Sequence, residues 1–201
     1  MTRRRRDRSE RGAALVEAAI VTPLFLALIF VMIESGFLLH NYLLATSASG
    51  DAVRSASVGG SSREADFLVL QSLQHGLAAF DPEDVEAIVV YRADGPNDLV
   101  PRGCLSVPVP ADLACNRYDN TDFFLAYTDA DGRAGANWGC GATARDAQWC
   151  PLGRQVGLSD PGGPDHVGVY VQIRHHYLTG FLGKGRSLEI NRVSRIEPSE
   201  R

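Results

Sequence analysis

The chain has 201 residues, 45% of them hydrophobic and 22% charged, and a formal net charge of −4. This length suits one ordinary domain with an appendage, and the composition excludes a disordered chain and a polytopic membrane protein. The charge is unevenly distributed, because residues 1–11 carry a net charge of +4 and the rest of the chain carries −8. The acidic bulk excludes a protein that binds nucleic acid through a basic surface, so we expect no nucleic-acid partner.

An apolar segment follows the basic leader directly. It runs for 21 residues from Ala13 to Ile33, and Glu17 is its only charged residue. A helix needs about 20 mainly apolar residues to cross the hydrocarbon core of a bilayer. The positive-inside rule places the basic residues 1–11 in the cytoplasm. The sequence therefore predicts one transmembrane helix over residues 13–34, with the C-terminal bulk outside.

Three other interpretations of this segment agree less well with the sequence. A cleaved secretory signal has a shorter apolar core followed closely by small residues, whereas the nearest cluster of small residues here is 45–50. A buried core helix would need other strongly apolar segments around it, and the sequence offers none. Arginines beside a predicted span are more typical of an orientation signal than of a nucleic-acid-binding arm.

Glu17 is an ionisable residue inside the predicted span. Inserting such a group costs roughly 2.5–3.5 kcal/mol at the centre of a transmembrane helix, so it is a functional candidate by default. The alternative is that Glu17, one turn into the helix, reaches the headgroups without any further role. Its position alone does not separate these interpretations, but its neighbours favour the functional one.

Gly12 lies between the charged leader and the apolar helix, and the pattern G-A-A-L-V-E resembles the processing site of type IV prepilins and pseudopilins. The resemblance implies that a membrane prepilin peptidase cuts after Gly12 on the cytoplasmic side and leaves Ala13 as the new N-terminus. Glu17 then corresponds to the glutamate at the fifth mature position of that family. A carboxylate there would offset the α-amine of a neighbouring helix.

The longer stretch RGAALVEAAIVTPLFLALIFVMIESG, with Pro23 inside it and Glu34 and Gly36 at its end, resembles the TadE/TadG-like family of the tight-adherence (Flp, type IVb-like) pilus system. The C-terminal stretch HHYLTGFLGKGRSLEINRVSRIEP resembles the ending of the same family. The resemblance implies a pseudopilin-like structural component of pilus assembly or secretion and not an enzyme. It implies a prepilin peptidase, other pilin-like subunits, the assembly platform and membrane lipid as partners. It leaves open whether the mature protein enters the filament or only primes its assembly.

The helical period continues beyond the span and stops at Gly59-Gly60. It predicts one long helix from about Ala13 to Val58, kinked at Pro23, with residues 35–60 as a stem. Ser61 and Glu64 fit a capping box at the start of a second helix. The apolar face of that helix recurs every three or four residues and ends before Asp81-Pro82: Phe67, Leu70, Leu73, Leu77 and Phe80.

Four apolar or alternating segments predict β-strands at residues 85–91, 123–127, 166–176 and 188–196. Antiparallel strands on one amphipathic helix make an α+β domain. We therefore expect a long transmembrane and stem helix followed by a small pilin-like extracytoplasmic α+β domain over residues 61–201.

Four cysteines lie on the side of the membrane that we predict to be extracytoplasmic, where disulfides persist. Four cysteines allow three connectivities. We favour Cys104–Cys115 with Cys140–Cys150, because this pairing closes two compact loops. Zinc is the competing interpretation, but the sequence has no C-x2-C spacing and no histidine close to these cysteines.

Other motifs give weaker signals. Asp129 and Asp131 are similar to the start of a calcium loop, but the glycine of an EF-hand is misplaced, so a solvated turn is favoured. His175 and His176 are adjacent on a predicted strand and point to opposite faces. We expect no metal, no cofactor and no catalytic site. The alternative function is an unprocessed single-pass extracytoplasmic module that binds a ligand or calcium through the loops of residues 96–165.

Overall fold

The computed structural model of the protein describes residues 3–123, 137–180 and 182–198, and the side chains from Gly12 onward. Helix α1 spans Arg3–Gly59 and helix α2 spans Ala65–Gly76. Strands β1 (Val85–Ala93), β2 (Cys115–Tyr118), β3 (His166–His176) and β4 (Gly185–Arg195) form an antiparallel sheet in the order β2-β1-β3-β4. The predicted α+β class is confirmed.

Two compact units make up the chain. One contains α1 as far as His40 together with the segment His176–Gly185. The other contains the chain from Asn41 to His175 and from Arg186 onward, and so holds most of the sheet.

Helix α1 is continuous through Pro23. Among the described residues, the part from Gly12 to Gly59 is the one helix that is long and apolar enough to cross a membrane. Most of its apolar side chains are exposed as far as Leu43. The pattern then changes, because a row of alanines at Ala45, Ala48, Ala52 and Ala56 is fully or almost fully buried.

Helix α2 begins later than predicted. Glu64 is its N-cap residue and makes no side-chain capping bond, so the expected capping box with Ser61 at the N-cap is wrong. The reason is the turn before it, in which Gly60 adopts φ +48° and the Ala65 amide donates to the Ser62 carbonyl. These residues turn the chain instead of starting the helix.

Most of the apolar face predicted for α2 is buried, namely Phe67, Leu70, Leu73 and Leu77. The helix itself ends at Gly76, before the predicted stop, and the predicted Phe80 lies beyond it and is only half-buried. Gly76 lies against α1, and a Cβ built on it would approach the Ala48 Cβ to 2.5 Å. A glycine at this position lets the two helices come close together.

The strand predictions differ in accuracy. Strand β3 has the predicted bounds, β1 runs to Ala93, and β4 begins at Gly185, earlier than predicted. Strand β2 was not predicted. In the segment 123–127, Phe123 lies in a helical turn and the other positions fall outside the described residues.

Both faces of the sheet are covered at strand β1, whereas β4 is largely exposed or half-buried. Ile88, on β1, pairs with Tyr118 of β2 and Val171 of β3, and this face meets α2, where Tyr118 bonds Asp66. The opposite face carries Val89, which packs in a second cluster of buried side chains: Tyr91, Ala93, Cys104, Cys115 and Tyr170. Strands covered on both sides lose strict alternation of polar and apolar residues.

Candidate functional site

The predicted processing residues lie on the open surface of α1. Gly12, Ala13 and Glu17 are exposed, and a Cβ built on Gly12 would meet nothing within 4 Å. The apolar neighbours Leu15 and Ile20 are 72% and 71% exposed. Glu17 therefore stands on a surface that is apolar and available to a lipid or to a second helix.

A second carboxylate on α1 has a very different environment. The Glu34 side chain is only 1% exposed. Its Oε1 accepts hydrogen bonds from the Thr179 amide at 2.6 Å and the Thr179 hydroxyl at 2.7 Å. Its Oε2 accepts the Leu178 amide at 3.1 Å. We call this arrangement the Glu34 clasp, because it ties the β3–β4 connection to the helix.

The local sequence explains how the chain reaches Glu34. Strand β3 ends at His176, and the chain then turns at Gly180 and Gly183, which adopt φ values of +67° and +111°. Residues with side chains are strained at such values, so glycine suits both positions. The turn directs two consecutive amides at one carboxylate, and hydrogen bonds to a charged acceptor are among the stronger ones in proteins.

Sequence reasoning did not predict the Glu34 clasp. Glu34 and the Leu-Thr-Gly stretch entered only as separate parts of two family-like motifs, and the bonded residues are 144 and 145 positions apart. Two features of the sequence could have pointed to this contact. A charged residue follows the apolar run, and both motifs resemble the same family. Nothing local to either segment shows that they meet.

The disulfides are Cys104–Cys115 and Cys140–Cys150, which is the sequential pairing. The first is fully buried in the cluster on the face of the sheet opposite α2, and the second is half-buried. Trp138 packs on Phe67 at a ring-centroid distance of 5.6 Å, so the loop near the second disulfide is held against α2.

The loop of the second disulfide also contains a buried carboxylate. Asp146 is fully buried and accepts hydrogen bonds from the Gly139 amide at 2.9 Å and the Cys140 amide at 3.2 Å. Gly139 adopts φ +84° and Cys140 φ +71°. These conformations point both amides at the carboxylate, so hydrogen bonds to Asp146 stabilise the loop.

A buried ion pair connects α2 with the loops. The Arg154 Nη2 lies 2.6 Å from the Asp66 Oδ1, and both side chains are fully buried. Tyr118 and Asn116 donate to the Asp66 Oδ2 at 2.7 Å each, and the Arg154 guanidinium lies 4.0 Å from the centre of the Trp149 ring. Burial, and then the charge and hydrogen bond of Asp66, raise the pKa of Tyr118 well above its usual value.

The weaker candidates remain without structural support. Asp129 and Asp131 lie outside the described residues, and no cluster of potential metal ligands occurs in the parts that the structure describes. His175 is buried, and its Nδ1 lies 2.9 Å from the Asn41 Nδ2, whereas His176 is exposed. The two histidines therefore point to opposite faces, as predicted.

These features describe an α+β protein with one exposed apolar helix of the kind that anchors proteins in membranes. The family model described as TadE-like protein matches residues 12–54, and this match confirms the resemblance to the TadE/TadG-like family of Tad pilus systems. No curated protein and no solved structure matches the chain. The family supports a component associated with the Tad pilus and with a membrane. Its members are structural components and are not known as enzymes.

Proposed function

We propose that the protein is a membrane-anchored, pseudopilin-like structural component of Tad/Flp pilus assembly or secretion, which a prepilin peptidase processes after Gly12. The observation that carries the proposal is the start of the family match at Gly12, where the arginine-rich leader meets the exposed apolar helix. The match also includes Glu17 and Glu34.

The chemistry of assembly follows from the exposed surface of α1. Cleavage after Gly12 removes the leader and leaves a mature chain of 189 residues with a positive α-amine on Ala13. Glu17 lies about one turn further along the helix, among exposed apolar side chains. When such helices pack side by side in lipid, the carboxylate of one can pair with the amine of its neighbour. The pairing removes the cost of leaving either charge alone in a low-dielectric medium.

The proposal also assigns the parts of the chain to compartments. Residues 1–12 are the cytoplasmic leader, 13–34 the span in the inner membrane, 35–60 the stem and 61–201 the extracytoplasmic domain. The two disulfides support an outside location for this domain, because disulfides persist in oxidising compartments. The expected partners are the prepilin peptidase, other pilin-like subunits and the inner-membrane assembly platform.

The test of processing is the intact mass of the protein extracted from membranes of cells that carry the peptidase. We expect the wild type to lack residues 1–12 and Gly12→Ala to keep them. Gly50→Ala is the matched control, because Gly50 lies on the same helix with open space around its Cα. A full-length wild-type protein in those cells would contradict the proposal.

The role of Glu17 is tested separately from cleavage. Glu17→Gln should be processed normally but recovered less with pilin-like subunits in crosslinked membranes, because its carboxylate no longer offsets an α-amine. Asp51→Asn, also an exposed position on α1, is the control and should be recovered as the wild type is. Equal recovery of all three proteins would contradict the role of Glu17. Analysis of sheared filaments then distinguishes a filament subunit from a priming factor.

A further inference from the structure

The connection between β3 and β4 exposes apolar side chains. We call residues 177–180 and 182–184 the hairpin tip. Leu178 is 71% exposed and Leu182 is 44% exposed, while Lys184 at the end of the tip is also exposed. Single exposed leucines are common on protein surfaces and need no explanation. The location of these two is what distinguishes them.

The Glu34 clasp fixes the depth of the tip along α1. Glu34 directly follows Ile33, the last residue of the apolar run, and it accepts hydrogen bonds from the tip residues Leu178 and Thr179. The 22 residues of the proposed span, 13–34, rise about 33 Å as an α-helix, close to the ~30 Å of a hydrocarbon core. Glu34 and the tip bound to it would therefore lie where the hydrocarbon meets the outer headgroups.

The surface of α1 on both sides of this level carries exposed apolar side chains. Ile33 is 45% exposed, and Phe37 and Leu39, beyond Glu34, are 47% and 58% exposed. Leu178, whose amide binds Glu34, therefore lies at the level along α1 where exposed apolar side chains of the helix also occur. Lys184, two residues after Leu182, adds an exposed cation to the tip, and cations of this kind are attracted to anionic lipid headgroups.

We propose that the hairpin tip is a second membrane-contacting element, with Leu178 and Leu182 inserted at the outer boundary of the bilayer and Lys184 paired with lipid phosphate. The proposal rests on the proposed span. It accounts for the burial of Glu34, because a carboxylate at this depth loses its water and must be satisfied by protein donors. The occupant is lipid, because Glu34 fixes the tip at the level where the proposed span ends and because the exposed cation of the tip complements an anionic headgroup.

The test uses three variants of the full chain, each with one added cysteine that is labelled with the environment-sensitive fluorophore NBD. All four native cysteines are disulfide-bonded, so a new cysteine supplies one free thiol. Leu178→Cys probes the tip and keeps the backbone amide that binds Glu34. Leu158→Cys is the matched control, since Leu158 is 75% exposed but belongs to the other compact unit. Leu24→Cys marks the centre of the proposed span.

The labelled proteins are reconstituted in phosphatidylethanolamine–phosphatidylglycerol vesicles with and without brominated acyl chains. We expect bromolipid to reduce the fluorescence at positions 178 and 24 by about twofold or more and to leave position 158 nearly unchanged. Lys184→Gln should weaken quenching at position 178 in vesicles that contain phosphatidylglycerol. Emission at position 178 should not depend on the protein-to-lipid ratio.

Three outcomes would overturn the proposal, and they are distinguishable. Quenching at position 24 alone places the tip in water and leaves the proposed span intact. Absence of quenching at both positions 24 and 178 would contradict the proposed span as well as the tip contact. A blue-shifted but unquenched label at position 178, which reverts when the protein is diluted in lipid, shows that a second copy covers the tip.

Discussion

The Glu34 Oε1 accepts both the amide and the hydroxyl of Thr179, at 2.6 and 2.7 Å, although the two residues are 145 positions apart. One belongs to the end of the apolar run of α1 and the other to the turn that follows β3. A single side chain thus connects the part of the helix that resembles a membrane anchor with the segment between β3 and β4. The hairpin tip is held to the helix by a buried carboxylate that accepts hydrogen bonds.

Removing the hydroxyl of this contact should loosen the hairpin. We expect Thr179→Val to lower the local free energy of opening by about 1.5–3 kcal/mol, the range for a hydrogen bond to a charged group. Thr179→Ser keeps the hydroxyl and should lose well under half of that. Hydrogen exchange of the backbone amides at positions 178 and 179 measures the opening. Equal exchange in the valine and serine variants would contradict a role for the hydroxyl.

The buried Asp66–Arg154 pair should be sensitive to the loss of either charge. Asp66→Asn leaves the Arg154 guanidinium buried without its counter-charge, so we expect a loss of about 3–5 kcal/mol in unfolding free energy. The measurement is denaturant unfolding in detergent, followed by fluorescence of the buried Trp138 and Trp149. Asp51→Asn makes the same chemical change at an exposed site and should stay within about 0.5 kcal/mol of the wild type. Similar losses in both variants would contradict the proposed importance of the pair.

The two disulfides should differ in their rate of reduction. Cys104 and Cys115 are fully buried, whereas Cys140 and Cys150 are only half-buried, so dithiothreitol reaches the second bond more easily. Brief reduction of the folded protein, followed by alkylation and peptide mass mapping, should label positions 140 and 150 first. The difference should disappear in denaturant. Faster labelling of positions 104 and 115 in the folded protein would show that burial does not control access.

Stability should fall in alkaline solution because of Tyr118. Its pKa is raised in the folded protein by burial and by Asp66, so the folded state retains a proton that the unfolded state releases. The resulting stability is fully present below about pH 10, the ordinary pKa of tyrosine, and is lost as the pH rises above it.

The control for this pH dependence is Tyr118→Phe, which keeps the ring and removes the ionisable group. We expect it to be less stable at pH 8, because the hydrogen bond to Asp66 is lost, and to show a shallower decline above pH 10. The measurement is the unfolding free energy at a series of pH values. Parallel pH profiles for the two proteins would exclude Tyr118 as a main cause of the decline.

Gly168 should be intolerant of a side chain. It pairs with Tyr91 across β1 and β3, and a Cβ built on it would lie 2.2 Å from the Tyr91 ring. The ring cannot easily move, because the Tyr91 hydroxyl bonds the Asn191 side chain at 2.9 Å and the Asp98 carbonyl at 3.1 Å. We expect Gly168→Ala to cost about 1–3 kcal/mol in unfolding free energy. Gly153→Ala, with open space around it, is the control and should be nearly neutral.

The features that could be predicted from the sequence are those that depend on neighbouring residues. The long helix, the buried stripe of α2 and the bounds of β3 follow from local periodicity, which reports the side of an element that is covered. The start of α2 was misplaced, because the turn at Gly60 uses Ser62 in a way that a capping pattern does not reveal. The short strand β2 has too few residues to show a period.

By itself the sequence determined the apolar anchor-like helix, the resemblance to the TadE-like family and the α+β class, since each depends on composition or on spacing within one segment. The tertiary structure alone decided that Glu34 meets Thr179 and that Asp66 meets Arg154. These partners are 145 and 88 positions apart. Contacts of this kind depend on the path of the whole chain, which brings together residues whose local patterns carry no information about each other.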